Sequence, residues 1–135
     1  MLSDNNLLLR ALSLNAAFSG FTALGMFLTG PWLAQQFGLS AVLPVYVVAG
    51  FLALFALQLA NIVRTRAIRT WEIAGIIGGD IAWVVTSAIV VGFFYESLTA
   101  AGFMLLDVVA FAVLLFAILQ ILGLREYRRT IAANN

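Results

Sequence analysis

The sequence predicts an all-α membrane protein, with four transmembrane helices in an up-down-up-down bundle. Of its 135 residues, 64% are apolar and only 10% are charged, whereas soluble domains have about 45–50% apolar and about 25% charged residues. Apolar runs of about twenty residues occur four times, and each is long enough to cross a hydrocarbon core of roughly 30 Å. A soluble bundle is disfavoured because no run has the wide polar face of a helix in water.

The four spans form one predicted domain over residues 1–135, without an internal repeat or a second domain. The spans are predicted at about residues 7–28, 41–63, 71–94 and 102–124. Arg10 lies inside the first span, where a long side chain near a helix end reaches the headgroups without breaking the helix. Because the connections are short, successive helices are expected to be antiparallel neighbours.

The first external connection is predicted to hold a short interfacial helix. Pro31 stands at its first helical position and Gly38 at its end, which is the usual placement of these two residues around a helix. Its apolar residues, Trp32, Leu33 and Phe37, are expected to lie on the outer leaflet.

The basic residues predict the orientation of the chain. All seven fall in the same set of flanking segments: Arg10, Arg64, Arg66, Arg69, Arg125, Arg128 and Arg129. The first and third connections contain none. Because basic flanks stay in the cytoplasm, both termini are predicted to be cytoplasmic, in a multi-pass protein of a bacterial-type inner (plasma) membrane.

Several kinds of chemistry lack the residues they need. The chain has no Cys and no His, and all seven of its basic residues are Arg, so it has no Lys. Thiol chemistry, histidine-ligated haem, the usual zinc sites and Schiff bases are therefore excluded. A net charge of +1 gives no indication of nucleic acid binding. We expect no enzymatic activity, no cofactor and no metal site.

Two stripes of small residues could bring helices close together in lipid. They are Gly75, Gly79, Ala82 and Thr86 on the third helix, and Ala49, Ala53, Ala56 and Ala60 on the second. Packing within the chain is the more usual use of such a stripe, and the seam of a homodimer is the alternative.

Asp80 is the most unusual residue, since a carboxylate inside a membrane span costs roughly 2.5–3.5 kcal/mol on insertion scales. Counted at about 1.5 Å per residue, Asn15, Gln58 and Gln120 lie at a similar depth, roughly 6–13 Å from the cytoplasmic boundary. Each helix therefore brings one strongly polar side chain to the same level. Trp83, one turn from Asp80, and Ser87, on the same face as Asp80, complete the candidate site.

Two interpretations of these six residues stay open. They form a buried hydrogen-bond network that fixes helix register, or Asp80 titrates or binds a ligand inside the bundle. An acid beside Trp83 suits a lipophilic cation.

The first functional hypothesis is a small non-catalytic membrane protein, either an accessory or assembly subunit or a binder of a lipid-like ligand. The alternative is a dimeric proton-coupled transporter of small lipophilic or cationic substrates that uses Asp80. The expected partners are the lipid bilayer and, beyond it, other membrane-protein subunits or a second copy of the chain.

Overall fold

The computed structural model describes residues 6–135, and this part of the chain consists of four long helices joined by short connections. The helices are α1 (Leu7–Gln36), α2 (Leu43–Thr65), α3 (Thr70–Phe94) and α4 (Ala100–Ala133), with a 3-10 turn at Tyr95–Ser97 before α4. All four are long and apolar enough to cross a membrane, which confirms the predicted all-α, four-helix membrane fold. Residues 1–5 of the predicted domain lie outside the described residues.

The outer surface of the helices is apolar. Phe93, Phe21 and Phe51 are 82%, 76% and 71% exposed, and many leucines and valines are similarly uncovered. A soluble monomer rarely exposes so much continuous apolar surface, whereas hydrocarbon chains cover it without cost. The exposed surface is therefore the lipid-facing side of a membrane bundle.

α1 bends where the first span was predicted to end. Thr29 has a non-helical backbone (φ −119°, ψ 18°), and Pro31 follows inside the helix. Proline lacks an N–H and its ring clashes with the carbonyl four residues earlier, so a kink here has a clear cause. The segment predicted as an interfacial helix is thus the last part of α1 beyond the kink, and its location on the membrane surface stays a prediction.

α4 is longer than the span predicted from hydropathy. It continues to Ala133, nine residues beyond the predicted boundary at Leu124, and includes the three arginines of the tail. Hydropathy marks where a helix leaves the hydrocarbon, whereas the helix itself ends only where its backbone hydrogen bonds stop.

One end of the bundle is closed by an apolar core to which all four helices contribute. Its buried residues are Leu8, Leu12, Leu59, Ile62, Ile73, Ile76, Ile77 and Leu124. They come from the start of α1, the end of α2, the start of α3 and the later part of α4, next to the seven arginines. We call this the arginine end.

Smaller contacts close the opposite end. Leu33 and Ala34, beyond the kink of α1, pack against Val45 of α2. Thr99 caps α4 by accepting a hydrogen bond from Gly102 N–H (3.1 Å), and its own N–H donates to the carbonyl oxygen of Gln36 (3.0 Å). The end of α1 is thereby held to the start of α4.

The helices do not pack equally on one another. α1 packs along α2 and α4, and α4 packs along α3, whereas the backbones of α2 and α3 do not pack closely. At the arginine end the two helices are linked by a hydrogen bond from Gln58 Nε2 to Glu72 Oε1 (3.3 Å). Beyond that link they leave an opening, which we call the α2–α3 gap.

The two small-residue stripes have different environments. On α2, Ala49 and Ala56 are buried, and a Cβ added to Gly20 of α1 would lie 3.8 Å from the Ala56 Cβ. This stripe packs within the chain. On α3, by contrast, all four stripe residues are exposed, so packing within the chain, the more usual use of such a stripe, does not apply to them.

Candidate functional site

Asp80 is held at the centre of the bundle by side chains from two other helices. Its Oδ2 accepts hydrogen bonds from Asn15 Nδ2 of α1 (2.8 Å) and from Gln120 Nε2 of α4 (3.1 Å). Asp80 is only 4% exposed, and both amide side chains are completely buried. The structure thus places three of the six predicted site residues, Asn15, Asp80 and Gln120, in contact.

Ser19 extends this network by one residue. Its hydroxyl donates to Asn15 Oδ1 (3.1 Å), one helical turn earlier on α1. Because that oxygen is occupied, the amide group of Asn15 is oriented with its N–H donors toward Asp80. Four side chains on three helices thus form one buried polar cluster.

The cluster surrounds Asp80 with neutral groups. Both of its hydrogen-bond partners among the described residues are amides, and both bonds fall on Oδ2, which leaves Oδ1 without a hydrogen bond there. Buried carboxylates are ordinarily paired with a cation, because two neutral donors do not balance a full charge in an apolar medium. Asp80 therefore has no charged hydrogen-bond partner among the described residues.

Asp80 also lines a cavity of about 350 Å³ at the α2–α3 gap. We call it the acid cavity. Its walls are Ser19, Phe51, Leu52, Phe55, Gly79, Asp80, Trp83 and Val113. Because Phe51 is 71% exposed and Gly79 is also exposed, the cavity opens sideways onto the lipid-facing surface.

Two buried polar side-chain atoms among the described residues have no hydrogen-bond partner. They are the indole N–H of Trp83 and the side-chain oxygen Oε1 of Gln120. Such atoms are uncommon in folded proteins and each costs roughly 1–3 kcal/mol when left unpaired. Trp83 lines the acid cavity, and Gln120 donates to Asp80 through its other side-chain atom, Nε2.

A second cavity of about 460 Å³ lies toward the opposite end, between α1, α2 and α4. Its walls are almost entirely apolar, and the hydroxyls of Thr22 and Thr29 that line it donate to backbone carbonyls of their own helix (both 2.7 Å). Trp83 lines this apolar cavity as well as the acid cavity and stands between them. Both volumes fall within the roughly 300–1,000 Å³ of small-molecule sites.

Two of the predicted site residues lie elsewhere. Gln58 is exposed and bonds to Glu72 on the arginine side of the α2–α3 gap, so the predicted polar layer contains three helices instead of four. α2 does not pack against α3 closely enough to bring Gln58 to Asp80. Ser87 is buried, but its hydroxyl donates to the carbonyl oxygen of Trp83 (2.8 Å) and not to the cluster.

The walls of the acid cavity were not found from the sequence. Nothing in the sequence sets Phe51 and Phe55 apart from the other apolar residues of the second span, and Gly79 is predicted only as part of a packing stripe. Only the separation of α2 from α3 makes them neighbours of Asp80. Ser19 did carry a signal, since it lies four residues after Asn15 on the same helical face.

The side chains at this site offer a carboxyl group, amide groups and a hydroxyl group for charge and hydrogen-bond contacts. Within residues 6–135, no group of three or more acidic, His or Cys side chains is arranged to hold a metal ion. No family model, no curated protein and no solved structure matches the chain.

Proposed function

We propose that this protein is a non-catalytic, multi-pass membrane protein that binds a lipid-like molecule in the acid cavity. One observation carries the proposal: a buried carboxylate, fixed by Asn15 and Gln120, forms part of a cavity wall that opens toward lipid. A network that only fixed helix register would be sealed and fully paired. This network adjoins a cavity, and Oε1 of Gln120 within it has no hydrogen-bond partner among the described residues.

The two cavities together suit an amphipathic ligand. The acid cavity supplies the carboxyl group of Asp80 beside aromatic rings, and the apolar cavity supplies room for a hydrocarbon tail. Ligand pockets are mostly apolar with a few well-placed polar groups, and that is the composition here.

We place the arginine end in the cytoplasm of a bacterial-type inner membrane, with both termini on that side. This placement is supported by the position of all seven arginines around the arginine end. Asp80 would then lie in the cytoplasmic half of the bilayer, and the apolar cavity in the outer half.

The experiment is to purify the protein from its producing membrane in a mild detergent and to quantify bound organic molecules by mass spectrometry. The informative variant is Gly79→Leu, because Gly79 lines the acid cavity and an added Cβ would meet no atom within 4 Å. The Gly79→Leu protein is expected to fold normally, and its leucine side chain is expected to obstruct the cavity.

Gly75→Leu is the matched control, one turn earlier on α3, equally exposed and equally open, but outside the cavity lining. We expect the wild type and Gly75→Leu to retain a bound molecule and Gly79→Leu to lose most of it. Wild-type protein that is consistently empty would contradict the proposal.

A second candidate function is a dimeric proton-coupled transporter of small lipophilic or cationic substrates. It is favoured by the exposed α3 stripe, which leaves a close-packing surface for a second copy of the chain. The same surface would serve another subunit if the protein acts in assembly. Asp80→Asn in proteoliposomes separates these functions, since a transporter would lose proton-coupled uptake whereas a binder has no uptake to lose.

A further inference from the structure

We infer that the ligand of the acid cavity is a cationic amphiphile, with an ammonium group at Asp80 and a hydrocarbon tail in the apolar cavity. This inference rests on the proposed function and narrows it to one class of ligand. It depends on the charge of the cluster, on the unpaired oxygen of Asp80 and on the position of the second cavity.

The charge of the cluster selects a cation. Asp80 is 4% exposed, and its hydrogen-bond partners are the neutral amides of Asn15 and Gln120. Oδ1 accepts no hydrogen bond from the described residues, and the carboxyl group lines the cavity. A bound ammonium would complete an ion pair in an apolar medium, where an unpaired carboxylate is costly.

The unpaired oxygen of Asp80 favours a charged head group that donates hydrogen bonds. Oδ1 accepts no hydrogen bond from the described residues, and Asp80 lines the cavity. A hydroxyl can donate a hydrogen bond to this oxygen, whereas an ammonium group donates one and also brings the positive charge that balances the carboxylate. The aromatic rings of Phe51, Phe55 and Trp83 in the same cavity add cation–π attraction.

The apolar cavity fits the tail of such a molecule. Along α1 it extends from Phe18 to Thr29, which is roughly 16 Å at the rise of an α-helix. Its threonine hydroxyls are already bonded to the backbone, so it has little to offer a polar group. Trp83 borders both cavities, so the inferred ligand would place its head and its tail on either side of the indole.

The route to the site runs through the membrane. The acid cavity is bordered by Phe51 and Gly79, which face lipid across the α2–α3 gap. At the arginine end the Gln58–Glu72 hydrogen bond and the apolar core close the gap. An amphiphile dissolved in the bilayer therefore reaches Asp80 sideways, without crossing water.

The test measures the fluorescence of Trp83 in full-length protein in nanodiscs. Trp32→Phe and Trp71→Phe together leave Trp83 as the sole indole, since the chain has three tryptophans. Dodecylammonium, dodecanol and dodecanoate share one tail and differ in the charge of the head. We expect the Kd of dodecylammonium, measured from the shift in Trp83 emission, to be about tenfold lower than that of dodecanol or lower still. The reason is that charge-assisted hydrogen bonds are roughly twice as strong as neutral ones.

Asp80→Asn in the same background is expected to remove this preference. Asp107→Asn is the matched control, because Asp107 is an exposed carboxylate on α4 that does not line the acid cavity, and it should keep the preference. If Asp80→Asn does not fold, the ranking of the three probes with Asp80 present decides the matter, together with Gly79→Leu, which should weaken dodecylammonium binding.

The outcomes separate this inference from the function on which it rests. If dodecanol or dodecanoate binds as tightly as dodecylammonium, the cationic head group is wrong while the lipid-like ligand site stands. If none of the three probes shifts the Trp83 emission, both proposals are overturned.

Discussion

At the scale of single residues, the structure depends on how Asp80 is satisfied inside the membrane. Polar contacts between transmembrane helices average only about 0.6 kcal/mol, so the two amide bonds to Asp80 contribute modestly when intact. Removing one donor is a different matter, because it leaves the buried carboxyl group with a single hydrogen bond and so increases its uncompensated desolvation cost. The cluster should therefore be much more sensitive to deletion than its net stabilisation implies.

We predict that Asn15→Leu and Gln120→Met each lower the free energy of unfolding by about 1–3 kcal/mol. Gln58→Leu is the control, since Gln58 is exposed and bonds only at the surface, and it should change stability by no more than about 0.5 kcal/mol. Unfolding by SDS titration in mixed micelles, followed by circular dichroism, measures all three. Equal effects at all three positions would mean that the buried network is energetically unimportant.

The residues of the cluster were largely predictable, and the exception is instructive. Asn15, Asp80 and Gln120 share a depth in the membrane, and a depth count needs only the rise per residue and a boundary. Gln58 has a similar depth by the same count, but it lies on α2, across the α2–α3 gap from Asp80, and bonds to Glu72 at the arginine end. The face that a helix turns toward its neighbour depends on how the helices rotate and pack. A depth count along the chain gives no information about this rotation.

At the scale of helices, α1 and α4 approach each other closely at two glycines of α4. A Cβ added to Gly123 would lie 2.6 Å from the backbone nitrogen and 2.7 Å from the Cα of Leu8. Gly102 meets the backbone carbonyl of Gln36 at the other end in the same way. Between them, the rings of Phe18 and Phe116 pack edge to face (5.5 Å). Two glycines thus set the distance between the helices that carry Asn15 and Gln120.

Gly123→Ala is therefore expected to destabilise the protein by about 1–3 kcal/mol, because a rigid backbone, and not a movable side chain, occupies the space. Gly92→Ala is the matched control, since an added Cβ there meets nothing within 4 Å. The same SDS titration compares the two variants. A Gly123→Ala protein as stable as Gly92→Ala would show that α1 and α4 are farther apart than described.

The positions of the helices followed from hydropathy, and their shapes did not. Four apolar runs of membrane length predicted α1 to α4 directly. The predicted first span and the predicted interfacial helix are one helix, α1, with a kink at Thr29 between them. The sequence did not distinguish these cases, because proline can stand at the start of a helix or bend a continuous one. Likewise, the arginines after Leu124 end the apolar run without ending α4.

At the scale of the whole molecule, the bundle is closed at the arginine end and open along one side. The apolar core and the seven arginines lie together, and the acid cavity opens between α2 and α3 away from that end. Orientation in the membrane then determines which leaflet supplies the ligand, since the acid cavity lies nearer to the arginine end than the apolar cavity does.

We predict that the arginine end faces the cytoplasm. Because the chain has no cysteine, single substitutions report cleanly. Ser40→Cys, in the exposed connection between α1 and α2, should react with a membrane-impermeant maleimide on intact bacterial cells with a permeabilised outer layer. Ala67→Cys, in the exposed connection between α2 and α3, should react only after the inner membrane is broken. The reverse labelling pattern would show that the arginine end faces away from the cytoplasm.

The central claim is that bilayer molecules reach the Asp80 site through the α2–α3 gap, and the quenching of Trp83 by lipids with brominated acyl chains tests it most directly. With Trp83 as the sole indole, emission should be strongly quenched in the wild-type background and in Gly75→Leu. Gly79→Leu, which places a side chain at the cavity lining, should protect Trp83 from the quencher. Equal quenching in all three proteins, or none in any, would contradict the claim.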